Sequence, residues 1–135
     1  ELIPRCLFSS ANIGLFLILA LSLYKNFIRK AMIIYNTTFN IENDILAECI
    51  EYLKKSYIPR AAASGFLRTP YLRRILQDET EDATSYSVQF HVKNPETLEY
   101  WMQSEGRDLQ QELVNRFGTK LVGFSTLLEE IDLES

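Results

Sequence analysis

Apolar and polar residues alternate along two stretches of this chain, 33–41 and 84–92, and apolar residues recur at helical spacing along two others. In the first stretch Ile33, Tyr35, Phe39 and Ile41 fall on one side and Asn36, Thr38 and Asn40 on the other, the pattern of a half-buried strand. In the second, Tyr86, Val88, Phe90 and Val92 oppose Ser85, Ser87, Gln89 and His91. Both strands therefore present one uniformly polar side. Between them, Ile45, Leu46, Cys49, Ile50 and Leu53 form one helical stripe, with Glu42 and Asp44 at the end that favours carboxylates and Lys54 and Lys55 in the last turn. Pro59 is expected to end or kink this helix, and Arg60 to Gly65 to make a short helical turn stopped by the glycine.

Tyr71 to Gln77 predicts a further strand, joined to the 84–92 strand by the charged loop Asp78 to Asp82. Asn94-Pro95 is a strong helix start, an N-cap followed by proline at the first helical position. The helix is expected to run to Phe117, stop at Gly118 and bury Leu98, Trp101, Met102, Leu109, Leu113 and Phe117, with Gly106 bending it. Lys120 to Ile131 reads as the last strand. The order β α β β α β folds, with right-handed crossovers, into an α+β domain: a four-stranded antiparallel sheet with two helices on one face.

A chain of 135 residues has room for one such domain and an appendage. The appendage is residues 1–31, in which Cys6 to Tyr24 are 19 residues without a charge, flanked by Arg5 and by Lys25, Arg29 and Lys30. Three readings apply. Met32 opens directly into the first strand, so one expectation is a protein that starts there, with 1–31 a misassigned start. A membrane anchor over residues 7–24 is the second, and the basic cluster would then place the domain on the cytoplasmic side. A cleaved signal peptide is the weakest, since the basic cluster follows the apolar run.

Residues 1–31 carry a net charge of +3 and residues 32–135 a net charge of −7. The acidic domain repels phosphate backbones, which argues against nucleic acid as a partner. Two cysteines, Cys6 and Cys49, make neither a disulfide framework nor a metal-ligand cluster, and fit a reducing compartment such as the cytoplasm. No metal site, glycine-rich phosphate loop, nucleophile elbow or cofactor motif is expected.

Three stretches carry a resemblance: Met32-Ile-Ile-Tyr-Asn-Thr-Thr-Phe-Asn40, Tyr86-Ser-Val-Gln-Phe90, and Arg116-Phe-Gly-Thr-Lys-Leu-Val-Gly-Phe-Ser-Thr-Leu-Leu128. Residues 32–133 resemble domain of unknown function 4286, a family of small uncharacterised bacterial proteins. The resemblance implies a ferredoxin-like fold of the dimeric α/β-barrel type and a start equivalent to Met32. It implies no catalytic residues.

A sheet with helices on one face leaves the other to be solvated, paired with a second subunit or wrapped around a ligand. Asn36, Thr38, Ser87 and Gln89 are the candidate ligand-binding residues there, and His91 the candidate acid or base. Arg73 and Arg74 are adjacent on a strand, so one of them faces the same way and is placed to clamp a carboxylate or phosphate. Polar residues on a solvated strand, and arginines that blunt a sheet edge, are the plainer readings of the same residues. The expectation is a small-molecule-binding module that forms a homodimer through its sheet. Two alternatives stand beside it, a cofactor-independent enzyme of oxygenase or isomerase type and a structural or membrane-tethered interaction domain.

Overall fold

A computed structural model describes residues 6–8, 32–78 and 80–134. The strands are β1 (Cys6–Phe8), β2 (Ile33–Glu42), β3 (Leu67–Ile75), β4 (Ala83–Val92) and β5 (Leu121–Glu129); the helices are α1 (Leu46–Tyr52), α2 (Ile58–Ala63), α3 (Pro95–Gln103) and α4 (Glu105–Phe117). The sheet is antiparallel throughout, in the order β1-β5-β2-β4-β3. The expected four strands are all present, with β2 and β4 in the middle. The fifth strand, β1, pairs Cys6 with Ser125 and Phe8 with Gly123 along the outer edge of β5. It occupies the start of the uncharged stretch, so residues 6–8 are extended rather than part of a spanning helix, and the remainder of that stretch lies outside the described residues. Among the described residues no helix is long and apolar enough to cross a membrane.

The alternation in β2 and β4 does the sorting. Ile33, Tyr35, Phe39 and Ile41 are buried with Val88, Phe90 and Val92 under Cys49, Leu53, Leu98, Trp101, Leu109 and Leu113 from the helices. Tyr86 and Phe90 thus lie on the helix side. Burial pushes the Cys49 thiol up to about 12, with Glu48 adding to the effect, so Cys49 behaves as a small core residue.

Three local expectations are corrected. Pro59 does not end the first helix: α1 and α2 are joined by a π turn, Leu53–Tyr57, in which the Ile58 N–H reaches back to the Leu53 carbonyl. The wider turn makes room for a proline ring that would crowd the carbonyl four residues earlier. The strand expected over 71–77 is β3, which begins at Leu67 and ends at Ile75. Leu67 and Arg68 pair with Val92 and His91, then Thr69 turns to φ +54° in a bulge before pairing resumes at Tyr71. Finally, the helix expected to run from Pro95 to Phe117 breaks at Ser104 (φ −112°, ψ −106°), whose hydroxyl donates to the Tyr100 carbonyl at 2.8 Å.

Gly106 explains that break. A Cβ built on it would lie 2.6 Å from the Trp101 indole, which is 2% exposed and meets the Tyr35 ring edge-on at 6.1 Å. The indole fills the place of a side chain at 106, so α4 starts where the largest core residue needs a bare backbone. Gly106→Ala gains about 1 kcal/mol of helix propensity. It is nevertheless expected to destabilise the domain by about 1–3 kcal/mol through overpacking, read as a lower urea midpoint at unchanged m-value.

The helices are clamped at the surface by Glu112 on α4. Its carboxylate accepts both Arg60 guanidinium nitrogens at 2.8 Å and the Tyr52 hydroxyl at 3.1 Å, while Arg116 lies 4.4 Å over the Tyr52 ring. The Arg60 hydrogen bonds hold the Glu112 carboxyl down to about 2, against the opposing effect of its desolvation. A lowered folded-state value stabilises above the ordinary carboxylate range and is lost as pH falls towards about 2. Thermal melts between pH 5 and pH 2 are therefore expected to show an acid-dependent component that Glu112→Gln lacks; identical pH profiles would contradict this.

Candidate functional site

No described helix covers the second face of the sheet, and the strand registers order its residues as a grid. From β3 through β4 and β2 to β5, one row reads Arg68, His91, Ile34, Leu128. The next rows are Tyr71, Gln89, Asn36, Thr126; then Arg73, Ser87, Thr38, Phe124; then Ile75, Ser85, Asn40, Val122. Period-two alternation puts all of them on one side.

The two central columns are joined by hydrogen bonds. Ser87 Oγ donates to Asn36 Oδ1 in a short contact, and Asn36 Nδ2 donates to Thr38 Oγ1 at 3.2 Å. Asn40 Nδ2 donates to Ser85 Oγ at 3.0 Å. On the β3 side, Arg73 Nη1 donates to Gln89 Oε1 at 3.1 Å, and the same guanidinium stacks 4.1 Å over the Tyr71 ring. Asn36 and Thr38 are each only 8% exposed, and no described helix overlies them. Fixed in this way, the amides and hydroxyls form a preset array of donors and acceptors suited to orienting a polar ligand.

Of the residues expected at a site, Asn36, Thr38, Ser87, Gln89 and Arg73 come together as one array. His91 shares the face, half-buried in the first row between Arg68 and Ile34. Arg74 does not join them: it pairs with Tyr86 and so points to the opposite side of the edge strand. Arg68, Tyr71, Phe124 and Thr126 complete the face and were missed. The alternation Val122, Phe124, Thr126, Leu128 carried the signal for two of them, whereas Thr69-Pro70 reads as a turn and hides Arg68.

None of the grid positions is Asp or Glu; Glu42 lies one row beyond Asn40 at the end of β2, and Glu130, whose N–H donates to the Met32 carbonyl, follows Leu128 at the other end. His91 therefore has no carboxylate in its row to orient the imidazole. Among the described residues no group of His, Cys, Asp or Glu is placed to hold a metal ion. An open depression lined by Met32, Glu130, Ile131, Asp132, Leu133 and Glu134 carries none of the expected site residues.

The family profile described as Domain of unknown function (DUF4286) matches residues 32–131. None of the curated proteins matches the chain. Among solved structures, an ethyl tert-butyl ether d (EthD) family protein from Bacillus halodurans is similar, at 18% identity and a TM-score of 0.58 over 74% of this chain and 99% of that one. A Bacillus cereus protein assigned as an antibiotic biosynthesis monooxygenase aligns at 12% identity and a TM-score of 0.50, over 78% of this chain and 98% of the other. A dimeric ferredoxin-like protein from an uncultured marine organism aligns at 11% identity and a TM-score of 0.52, over 76% and 97%. At these identities the likeness is one of fold, and the fold is ferredoxin-like.

Proposed function

The chain belongs to the family Domain of unknown function (DUF4286), and we propose that this domain works as a homodimer that binds a small molecule between its two open sheet faces. The observation that carries the reading is the relief of the face. The middle of its central strands carries short side chains, Asn36, Thr38, Ser85 and Ser87, with Ile34, Gln89 and His91 towards one end, and longer ones flank them, Arg68, Tyr71 and Arg73 on β3 and Phe124 and Leu128 on β5. Packed sheets lie about 10 Å apart. When two such faces meet, the margins touch first and the centres stay apart, enclosing a polar-lined space of the kind that holds small ligands.

The apolar margin supports the same reading. Tyr71 is 45% exposed, Leu128 44% and Val122 38%, on one face of one sheet. Exposed apolar side chains gathered on one face suit a contact surface. The description of the marine relative as dimeric agrees with this arrangement.

A second reading follows from His91. An imidazole half-buried beside the amide array is placed to carry a proton, and the assignment of the Bacillus cereus relative as a monooxygenase makes a cofactor-independent oxygenase or isomerase the alternative. A row without a carboxylate weighs against it and leaves binding as the leading function.

Sedimentation equilibrium of residues 1–135 is expected to show a dimer. Phe124→Glu, which puts two carboxylates into the contact, is expected to weaken association by at least about a hundredfold. A wild-type protein that stays monomeric at high micromolar concentration contradicts the proposal. For the enzymatic alternative, His91→Ala should preserve the dimer and abolish any turnover that substrate screening finds, and unchanged turnover removes the imidazole from the chemistry.

A further inference from the structure

The open face is polarised across its width as well as raised at its margins. The β3 column runs Arg68, Tyr71, Arg73 and Ile75, with His91 beside Arg68; the β2 and β4 columns are amides and hydroxyls apart from Ile34 and His91; the β5 column runs Leu128, Thr126, Phe124 and Val122. From cationic edge to apolar edge is three strand spacings, or about 14 Å. The charge also runs against the rest of the domain. Residues 32–135 carry a net −7, yet no carboxylate falls within the grid.

From this gradient we propose that the ligand is a small amphipathic carboxylate, its head on Arg68 and Arg73 and its apolar body across the central array towards Phe124 and Leu128. The inference rests on the pocket reading above and names its content. A guanidinium with donors to spare binds a carboxylate through paired, charge-assisted hydrogen bonds. Arg73 uses one nitrogen on Gln89 and is braced on the Tyr71 ring, so its planar fork is already oriented. The Gln89 amide, held through its oxygen by Arg73, keeps its N–H groups for the ligand.

Dimerisation makes the anion necessary rather than incidental. Closing two such faces brings the Arg68 and Arg73 guanidiniums of both copies towards a region drier than bulk water, with no carboxylate among the grid positions to neutralise them. Desolvated charge of one sign is costly, and bound anions relieve it. The blunting of a sheet edge accounts for Arg74, on the other side, and needs neither the alignment of Arg68 and Arg73 on the open face nor the absence of acids around them.

Octanoate and its neutral isostere octanamide separate head from body, measured by isothermal titration calorimetry on the full chain at low salt. Octanoate is expected to bind at least about tenfold more tightly than octanamide. Arg68→Gln and Arg73→Gln should each weaken octanoate by about tenfold and octanamide by clearly less. Acetate, which keeps the head and loses the body, should bind more weakly than octanoate. Equal affinity for octanoate and octanamide, in a protein that is a dimer, overturns the carboxylate assignment and leaves the pocket reading standing. A dimer that binds neither probe also overturns the assignment, and a monomer that binds neither overturns both.

Discussion

The backbone ladder between β2 and β4 is the constraint on which the rest of this domain depends. It pairs Ile33–Glu42 with Ala83–Val92 without a break, and side chains that oppose each other across it share a face. Every apolar residue that Trp101, Leu109 and Leu113 cover, and every amide and hydroxyl of the open face, takes its side from this one register. A slip of a single residue would send Phe39 and Phe90 to the open face and Asn36 and Gln89 under the helices, at a cost no rearrangement of side chains could recover. Core and candidate site are the two sides of the same pairing.

That dependence explains what could be read in advance. The alternation in β2 and β4 is a local property of the chain, and so is the Asn94 cap, whose side chain accepts the Thr97 N–H at 2.8 Å as its position before Pro95 implies. Grouping Asn36, Thr38, Ser87, Gln89 and His91 followed from the same alternation. What could not be read depends on distant partners. Pro59 stays within a helix because a π turn precedes it, and Ser104 interrupts one because Gly106 receives the Trp101 ring. Arg68 belongs to the face because β3 bulges around Thr69-Pro70 and regains its register on β4. In each case the local signal was real and a tertiary contact redirected it.

The two edges of the sheet are treated differently, and this bears on how the face is used. The β3 edge carries a bulge, a proline and arginines, devices that discourage further strand pairing, while the β5 edge is paired with β1. With the β3 edge blunted, growth of the sheet on that side is disfavoured, and the open face is the surface through which a second copy is proposed to join. Short residues at its centre and long ones at its margins then turn a flat contact into an enclosed one. The preset hydrogen bonds around Asn36 reduce the ordering that a ligand must impose when it binds.

The separation of two nitroxide labels tests the face-to-face arrangement most directly. In a Cys6→Ser background, with Cys49 buried and its thiol suppressed, a label at Val122→Cys reports the open face and one at Gln111→Cys the outside of α4. Pulsed dipolar spectroscopy is expected to give a short distance between copies for Val122, set by sheets about 10 Å apart plus the labels themselves, and a much longer one for Gln111. No dipolar coupling at Val122, or a shorter distance at Gln111 than at Val122, would contradict the account.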